Sequence, residues 1–212
     1  RERETVLRLA RAAEFRDPET GAHILRMAHY SRLIADRLGL DREFQELLLQ
    51  AAPMHDVGKL GTPDQILLKP GRLTPEEFEI MKQHATIGFE ILKDSNSPML
   101  QMAAQIANSH HEKWDGSGYP NGLAGEVIPL VGRIVAVADV FDALTSERPY
   151  KKAWTDEEAT RHMHEQRARH FDPDCLDAFL GAWPAVLEIK HRYRDDEHSL
   201  SLERAVAAGL TV

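Results

Sequence analysis

The chain has 212 residues, 42% of them hydrophobic, which is enough to bury one core and points to a single domain with a single site. A net charge of −8 excludes a general grip on long nucleic acids, because polyanion binding needs a broad basic face, whereas a small anion needs only local cations that bound metals can supply. The one cysteine, Cys175, excludes an internal disulfide and fits a reducing, cytoplasmic compartment, and no stretch approaches the roughly 20 apolar residues of a membrane span.

Helical signals dominate, so an all-α fold is expected. Val6, Leu7, Leu9, Ala10 and Ala13 predict a helix ending near Phe15, and Asp17-Pro18 reads as the cap and first-turn proline of the next. Ile24, Met27, Ala28, Ser31, Ile34, Ala35 and Leu38 keep a helical period until Gly39. Asp41 caps a third helix carrying Phe44, Leu47, Leu48 and Ala51, expected to run on into His55-Asp56 before Gly58 and Gly61 break it. Thr62 to Thr74 reads as a loop. Thr74-Pro75-Glu76-Glu77 is a helix start, and two short helices are expected to carry Phe78, Ile80, Met81, Ile87, Phe89, Ile91 and Leu92. Another helix begins near Ser97-Pro98 and ends around His110-His111. Trp114 to Gly122 is too rich in glycine to be helical and reads as a structured loop. Leu130 to Leu144 is rich in β-branched residues, but its length and apolar spacing favour a buried helix over a strand. Two or three further helices follow Asp156 and Pro173, and the polar tail after Arg192 is expected to be partly disordered.

The placement of the 11 histidines matters more than their number. His23, His55-Asp56, His84, His110-His111 and Asp139 mix imidazole with carboxylate, a donor set suited to iron, manganese, zinc or nickel, while the lack of paired cysteines argues against a structural zinc knot. These residues lie on separate elements, so only a folded helical bundle can bring them together. Glu19 and His23 are four apart on one predicted helix and point the same way. Asp139 and Asp142 are three apart in a mostly apolar helix, where a buried carboxylate implies a cation beside it. In His55-Asp56-Val57-Gly58-Lys59, glycine allows close backbone approach and lysine offers a phosphate-binding cation next to two candidate ligands. His29, His162, His164, His170, His191 and His198 fit no ligand pattern and read as structural or solvent-facing.

In order and spacing, His55-Asp56-Val57-Gly58-Lys59, His110-His111-Glu112, Trp114-Asp115-Gly116-Ser117-Gly118-Tyr119-Pro120 and Asp139-Val140-Phe141-Asp142-Ala143-Leu144 resemble the HD-GYP family of the HD phosphohydrolase superfamily. Glu19-Thr20-Gly21-Ala22-His23, Lys82-Gln83-His84 and Arg148-Pro149-Tyr150-Lys151-Lys152 add to the resemblance, which spans roughly Phe15 to Leu180. It implies an HD-type helical bundle with additional C-terminal helices and a structured GYP loop. It also implies a phosphodiesterase that linearises cyclic di-GMP to pGpG and continues to GMP. Carried over by motif, His23, His55, Asp56, His84, His110, His111 and Asp139 would be metal ligands, with Asp56 bridging, and Glu19 would hold a third ion, so two or three divalent metals are implied. Lys59 would contact the scissile phosphate, Tyr119 would lie near the substrate, and Arg148 with Lys151 would bind the other phosphate or a guanine. Paired metals present hydroxide in line with phosphorus and neutralise charge on the phosphoryl oxygens, so no protein nucleophile is needed. Asp142 is expected to orient a histidine and not to ligate. Pro53, Thr62 and Ala168 depart from the family pattern, the last at a place often glycine.

Three alternatives stay open: hydrolysis of hybrid cyclic GMP-AMP at the same site, a signalling module that binds a nucleotide or a diguanylate-cyclase-type partner with slow catalysis, and a nucleotidase acting on mononucleotides, which the GYP loop disfavours. Residues 1–16 look like the helical connector from an upstream receiver domain of a response regulator, and their pattern would suit a homodimer. The expected division is then connector 1–16, catalytic domain 17–192 and tail 193–212.

Overall fold

Val6, Ala10 and Ala13 recur at helical spacing and form the buried face of α1 (Glu2–Glu14), the first helix of a computed structural model that describes residues 2–17, 21–148 and 150–194. Glu19 and the tail beyond 194 lie outside the described residues. In α2 (Gly21–Arg37) the periodic residues Ile24, Met27 and Ile34 are fully buried, and the helix stops where Gly39 takes a φ of 75°. The Asp41 carboxylate starts α3 (Arg42–Ala51) by accepting the Phe44 N–H at 2.8 Å.

The third helix does not run through His55-Asp56 as its pattern suggests. It ends at Ala51, and the chain tightens into two 3-10 turns, Ala52–Met54 and Val57–Gly61. Pro53 explains the change: it has no N–H to continue the α-helical ladder, and its ring crowds the preceding turn. The tighter path buries His55 and Asp56 in succession. Two further expectations are corrected. A single turn, α4 (Asp64–Leu67), interrupts the loop before Thr74. One continuous helix, α5 (Pro75–Leu92), replaces the two short ones; it opens on a capping box between Thr74 and Glu77. Gly88 does not break α5, because its missing side chain is a packing requirement: a Cβ there would lie 3.0 Å from the Ala107 Cβ and 3.3 Å from the Gly58 nitrogen.

Next come α6 (Pro98–Ser109), a 3-10 turn at Gly125–Val127, and α7 (Leu130–Thr145), which resolves the ambiguous β-branched run as a helix. Ile134, Val135, Val137, Ala138 and Phe141 on α7 are fully buried, and the helix packs against α2 and α6 at the centre of the molecule. Three helices close the fold: α8 (Asp156–Glu165), α9 (Pro173–Gly181) and α10 (Trp183–Arg192). No strand forms among the described residues, only isolated bridges such as Arg148–Lys151. Ala168, where the family pattern favours glycine, takes a φ of 61°. Cys175 is buried in the core, far in role from any ligand set.

Candidate metal centre

Four buried histidines from four elements turn the same ring nitrogen inward. On α2, His23 Nδ1 lies 2.6 Å from the Asp142 carboxylate. His55 Nδ1 faces the Ala52 carbonyl at 3.1 Å, His84 Nδ1 on α5 the Met81 carbonyl at 2.7 Å, and His110 Nδ1 at the end of α6 the Ile106 carbonyl at 3.0 Å. Each partner can only accept, so each Nδ1 must donate, and the neutral ring then presents a bare Nε2. Those Nε2 atoms meet carboxylate oxygens. His55, His84 and His110 each approach Asp56 at 3.2 Å, and Asp139 lies 3.4 Å from His23 and 3.5 Å from His55.

Lone pairs facing lone pairs in a buried space demand a positive species between them. The Nε2 atoms of His55 and His110 and Oδ1 of Asp56 are buried and make no hydrogen bond. Protons on hydrogen-bond lines therefore do not resolve the contact, whereas a divalent cation does, and the imidazole–carboxylate set fits one. Most donors fall into two neighbouring groups, Asp56 with His84, His110 and His111, and His23 with His55 and Asp139, and a third set, Glu14 with His55 and Asp56, overlaps both. Asp56 links them: Oδ1 faces His84 and His110 while Oδ2 faces His55. In the metal-free chain, burial would lower the His55 pKa, but the charges of Asp56 and Asp139 hold it well above the usual imidazole value. Burial, with His110 and His84 alongside, pushes His111 well below that value.

The local chain path explains how these groups meet. At Gly58 a Cβ would lie 1.8 Å from the His84 carbonyl oxygen, so only glycine lets the turn after Asp56 rest directly on the α5 backbone beside His84. Gly118 repeats the device. A Cβ there would fall 2.4 Å from the His111 oxygen and the Lys113 nitrogen, and its absence lets the glycine-rich loop lie on the His110-His111 segment. The buried Glu112 carboxylate pins that loop by accepting the Asn121 and Leu123 N–H groups at 2.7 and 3.1 Å. The result stacks the Tyr119 ring on His111, with centroids 4.7 Å apart.

A 440 Å³ cavity opens onto the cluster, lined by Asp56, His84, His111 and Asp139 together with Lys59, Tyr119 and Arg148. Its size lies in the usual range for small-ligand sites. Lys59 Nζ sits between two carboxylates, 2.6 Å from Asp17 and 2.8 Å from Asp56. Lys151 does not line this cavity; its ammonium donates to the Ala143 carbonyl at 3.3 Å and lies over the Trp154 ring. Asp142 touches no second group of the cluster except His23 and is held from behind by Arg26. His29, His162, His164, His170 and His191 join neither donor group, and Glu19 and His198 lie outside the described residues.

Three charged residues at the centre carry no signal in the spacing of the chain. Asp17, read only as a helix cap, lines the cavity and pairs with Lys59. Glu14 is buried with a carboxylate oxygen within 4.8 Å of donor atoms on His55 and Asp56. Its position at the end of the buried Val6, Ala10, Ala13 stripe is the one cue available in the sequence. Arg26, three residues after His23 on α2, is likewise buried.

The family model for the HD domain matches residues 8–175, most of the chain. The chain belongs to the HD domain family. Within it, the His55-Asp56 pair and the Gly118-Tyr119-Pro120 loop mark the HD-GYP branch. The HD domain is 56% identical over 180 residues to the cyclic di-GMP phosphodiesterase response regulator RpfG of Xanthomonas campestris, covering 85% of this chain and 48% of that protein. It is 51% identical to a cyclic di-GMP phosphodiesterase of Thermotoga maritima, over 88% of this chain and 51% of the relative. A 3′3′-cGAMP-specific phosphodiesterase of Vibrio cholerae is 47% identical over 89% of this chain and 36% of its own length. The HD domain thus spans about half the length, or less, of these curated relatives. Among solved structures, a cyclic GMP-AMP specific phosphodiesterase of V. cholerae shares the fold with a TM-score of 0.65 at 20% identity, covering 94% of this chain and 52% of that one. HD domains bind divalent metal, and the His/Asp cluster is where the donors for it converge. No helix among the described residues is long and apolar enough to cross a membrane.

Proposed function

We propose that this HD domain is a metal-dependent phosphodiesterase that hydrolyses cyclic di-GMP to pGpG, with GMP as the product if a second cleavage follows. The observation that carries the reading is the convergence of bare Nε2 atoms on Asp56 and Asp139 at the floor of a cavity whose wall holds Lys59 and Arg148. His23, His55, Asp56, His84, His110, His111 and Asp139 would hold two divalent ions, with Asp56 shared between them, and Glu19 would hold a third; iron or manganese suits this donor set best, then zinc or nickel. Bound there, such ions lower the pKa of water and stabilise charge on a phosphoryl group.

The remaining work falls to the chain. Lys59, already between Asp17 and Asp56, turns toward the scissile phosphate when a dianionic substrate enters. Arg148 neutralises the second phosphate or contacts a guanine, with Lys151 as an auxiliary cation behind it, and Tyr119 closes one side of the site over His111. No side chain acts as nucleophile. The wider protein would be a cytoplasmic response regulator in which 1–16 connects a receiver domain to the catalytic domain 17–192. The connector helix supplies a homodimer contact, and a diguanylate-cyclase-type protein is a further partner.

Anaerobically purified protein should carry two or three metal ions by elemental analysis and convert cyclic di-GMP to pGpG, with Asp56→Ala losing about 10²- to 10³-fold in rate, the scale expected when electrostatic stabilisation is removed. Metal-replete protein that turns over no cyclic dinucleotide would refute the reading. The identity to 3′3′-cGAMP-specific relatives supports a second reading, hydrolysis of hybrid cyclic GMP-AMP at the same residues, and side-by-side kcat/KM values for the two nucleotides decide between them.

A further inference from the structure

Behind His23, on the side away from the substrate cavity, lies a chain of contacts that the phosphodiesterase chemistry does not use. Arg26 follows His23 by three residues on α2 and is only 4% exposed. A guanidinium at that depth persists only where its donors are matched. Nε donates to Asp142 Oδ1 at 2.6 Å and Nη2 to Asp142 Oδ2 at 3.2 Å, a two-pronged grip that fixes the carboxylate plane. Nη2 also donates to Ser146 Oγ at 3.1 Å, and Ser146 Oγ in turn donates to Asp142 Oδ2 at 3.2 Å. Nη1 donates to the Tyr193 carbonyl at 2.8 Å, tying the end of α10 to the same point. The Tyr193 ring is itself stacked on His29, with centroids 4.4 Å apart.

Arg26 thus holds both oxygens of the carboxylate that receives the His23 Nδ1–H, and Ser146 joins it on the receiving oxygen, Oδ2. Asp142 Oδ2 lies 2.6 Å from that nitrogen, and on the opposite side of the ring His23 Nε2 lies 3.4 Å from Asp139. We infer that Arg26 is a positioning residue of the metal centre: it locks the Asp142 carboxylate, which sets the tautomer and rotation of His23 and so aims Nε2 at the ion. The inference rests on His23 serving as a ligand under the proposed function. Lysine cannot replace arginine here, since one ammonium cannot span both carboxylate oxygens, Ser146 and the Tyr193 carbonyl together.

The test is metal affinity, read by competition of Mn²⁺ between the apo-protein and a chelating indicator, so that it depends on no substrate. Arg26→Lys should bind Mn²⁺ about 10- to 100-fold more weakly than the parent, the range seen when outer partners of a metal-bound histidine are removed. A merely structural ion pair would lower the melting temperature of the apo-protein and leave that affinity alone. Asp142→Asn should weaken binding similarly, and adding Arg26→Lys to it should change affinity by less than about twofold, because both act through one carboxylate. If Arg26→Lys does not fold, Ser146→Ala, which removes one brace from the pair, should still weaken Mn²⁺ binding severalfold. Unchanged affinity in the single variants, or fully additive losses in the double variant, would overturn the role of Arg26. A parent protein that bound no divalent metal would overturn the metal reading along with it.

Discussion

His170 shows how a histidine outside the metal centre can govern acid stability. Its ring stacks on Phe171 with centroids 4.4 Å apart, and its carbonyl accepts the Trp114 N–H at 3.0 Å. Burial, then the nearby Lys113 ammonium, lowers its pKa to about 4 from 6.5. A base whose folded pKa lies below its unfolded value binds more protons unfolded than folded between the two. Its contribution is therefore complete above about pH 6.5 and lost as pH falls toward 4. The melting temperature of the parent should fall more steeply across that window than that of His170→Phe, which keeps a ring but cannot titrate. Parallel slopes would show that His170 is not buried as neutral imidazole. The same scale shows what the amino-acid pattern reveals. Histidines and aspartates in the His55-Asp56 and His110-His111 contexts announce themselves, because the neighbouring glycines and lysine narrow the chemistry. Asp17, Glu14 and Arg26 do not, since an isolated charge near a helix start or on a helix looks the same whether it faces water or a buried cluster.

Among the elements, the turn from Pro53 to Gly61 decides whether the centre assembles. Capped helices were readable: Asp41, Thr74 and Ser97-Pro98 sit where helices begin, each for a local reason that needs no tertiary context. The break at Pro53 and the continuity of α5 were not, because each depends on a partner. Gly88 looks like a helix breaker in isolation, yet it is the place where α5 accepts the backbone of Gly58. That contact can be tested directly. Gly58→Ala would force its Cβ to within 1.8 Å of the His84 oxygen and 2.5 Å of the Gly88 nitrogen, both backbone atoms that cannot move aside alone. A loss of about 3 kcal/mol or more is expected, beyond ordinary overpacking of a flexible core, together with weakened metal binding as Asp56 and His84 separate. Gly181→Ala is the matched control. Among the described residues nothing outside its own helix and chain neighbours lies within 4 Å of its added Cβ, so the change should be neutral or stabilising by up to about 1 kcal/mol. Equal stability of the two variants in denaturant titrations would show that the 3-10 turn does not rest on α5.

At the scale of the whole molecule, the metal centre is a cross-link. The side chains that would hold metal come from α2, the turns after α3, α5, the end of α6 and α7, so an ion among them would tie together elements far apart in sequence. Taking the ions away leaves buried carboxylates and imidazoles facing one another at 3.2 to 3.5 Å, a repulsion the fold must absorb by opening or by taking up protons. Metal that binds the folded chain and not the unfolded one adds RT ln(1 + [M]/Kd), about 2.7 kcal/mol at a free concentration of 100 Kd. For a domain of this length that corresponds to a rise of roughly 5–11 °C in melting temperature. Chelator-treated protein should therefore melt several degrees lower than the same sample after Mn²⁺ is restored, and the increment should grow with the logarithm of metal concentration. Asp56→Ala removes the carboxylate that faces histidines of both donor groups, so most of the increment should vanish while the apo-protein still folds. Melting curves of the parent that do not respond to metal would mean that these side chains gather for some purpose other than holding ions.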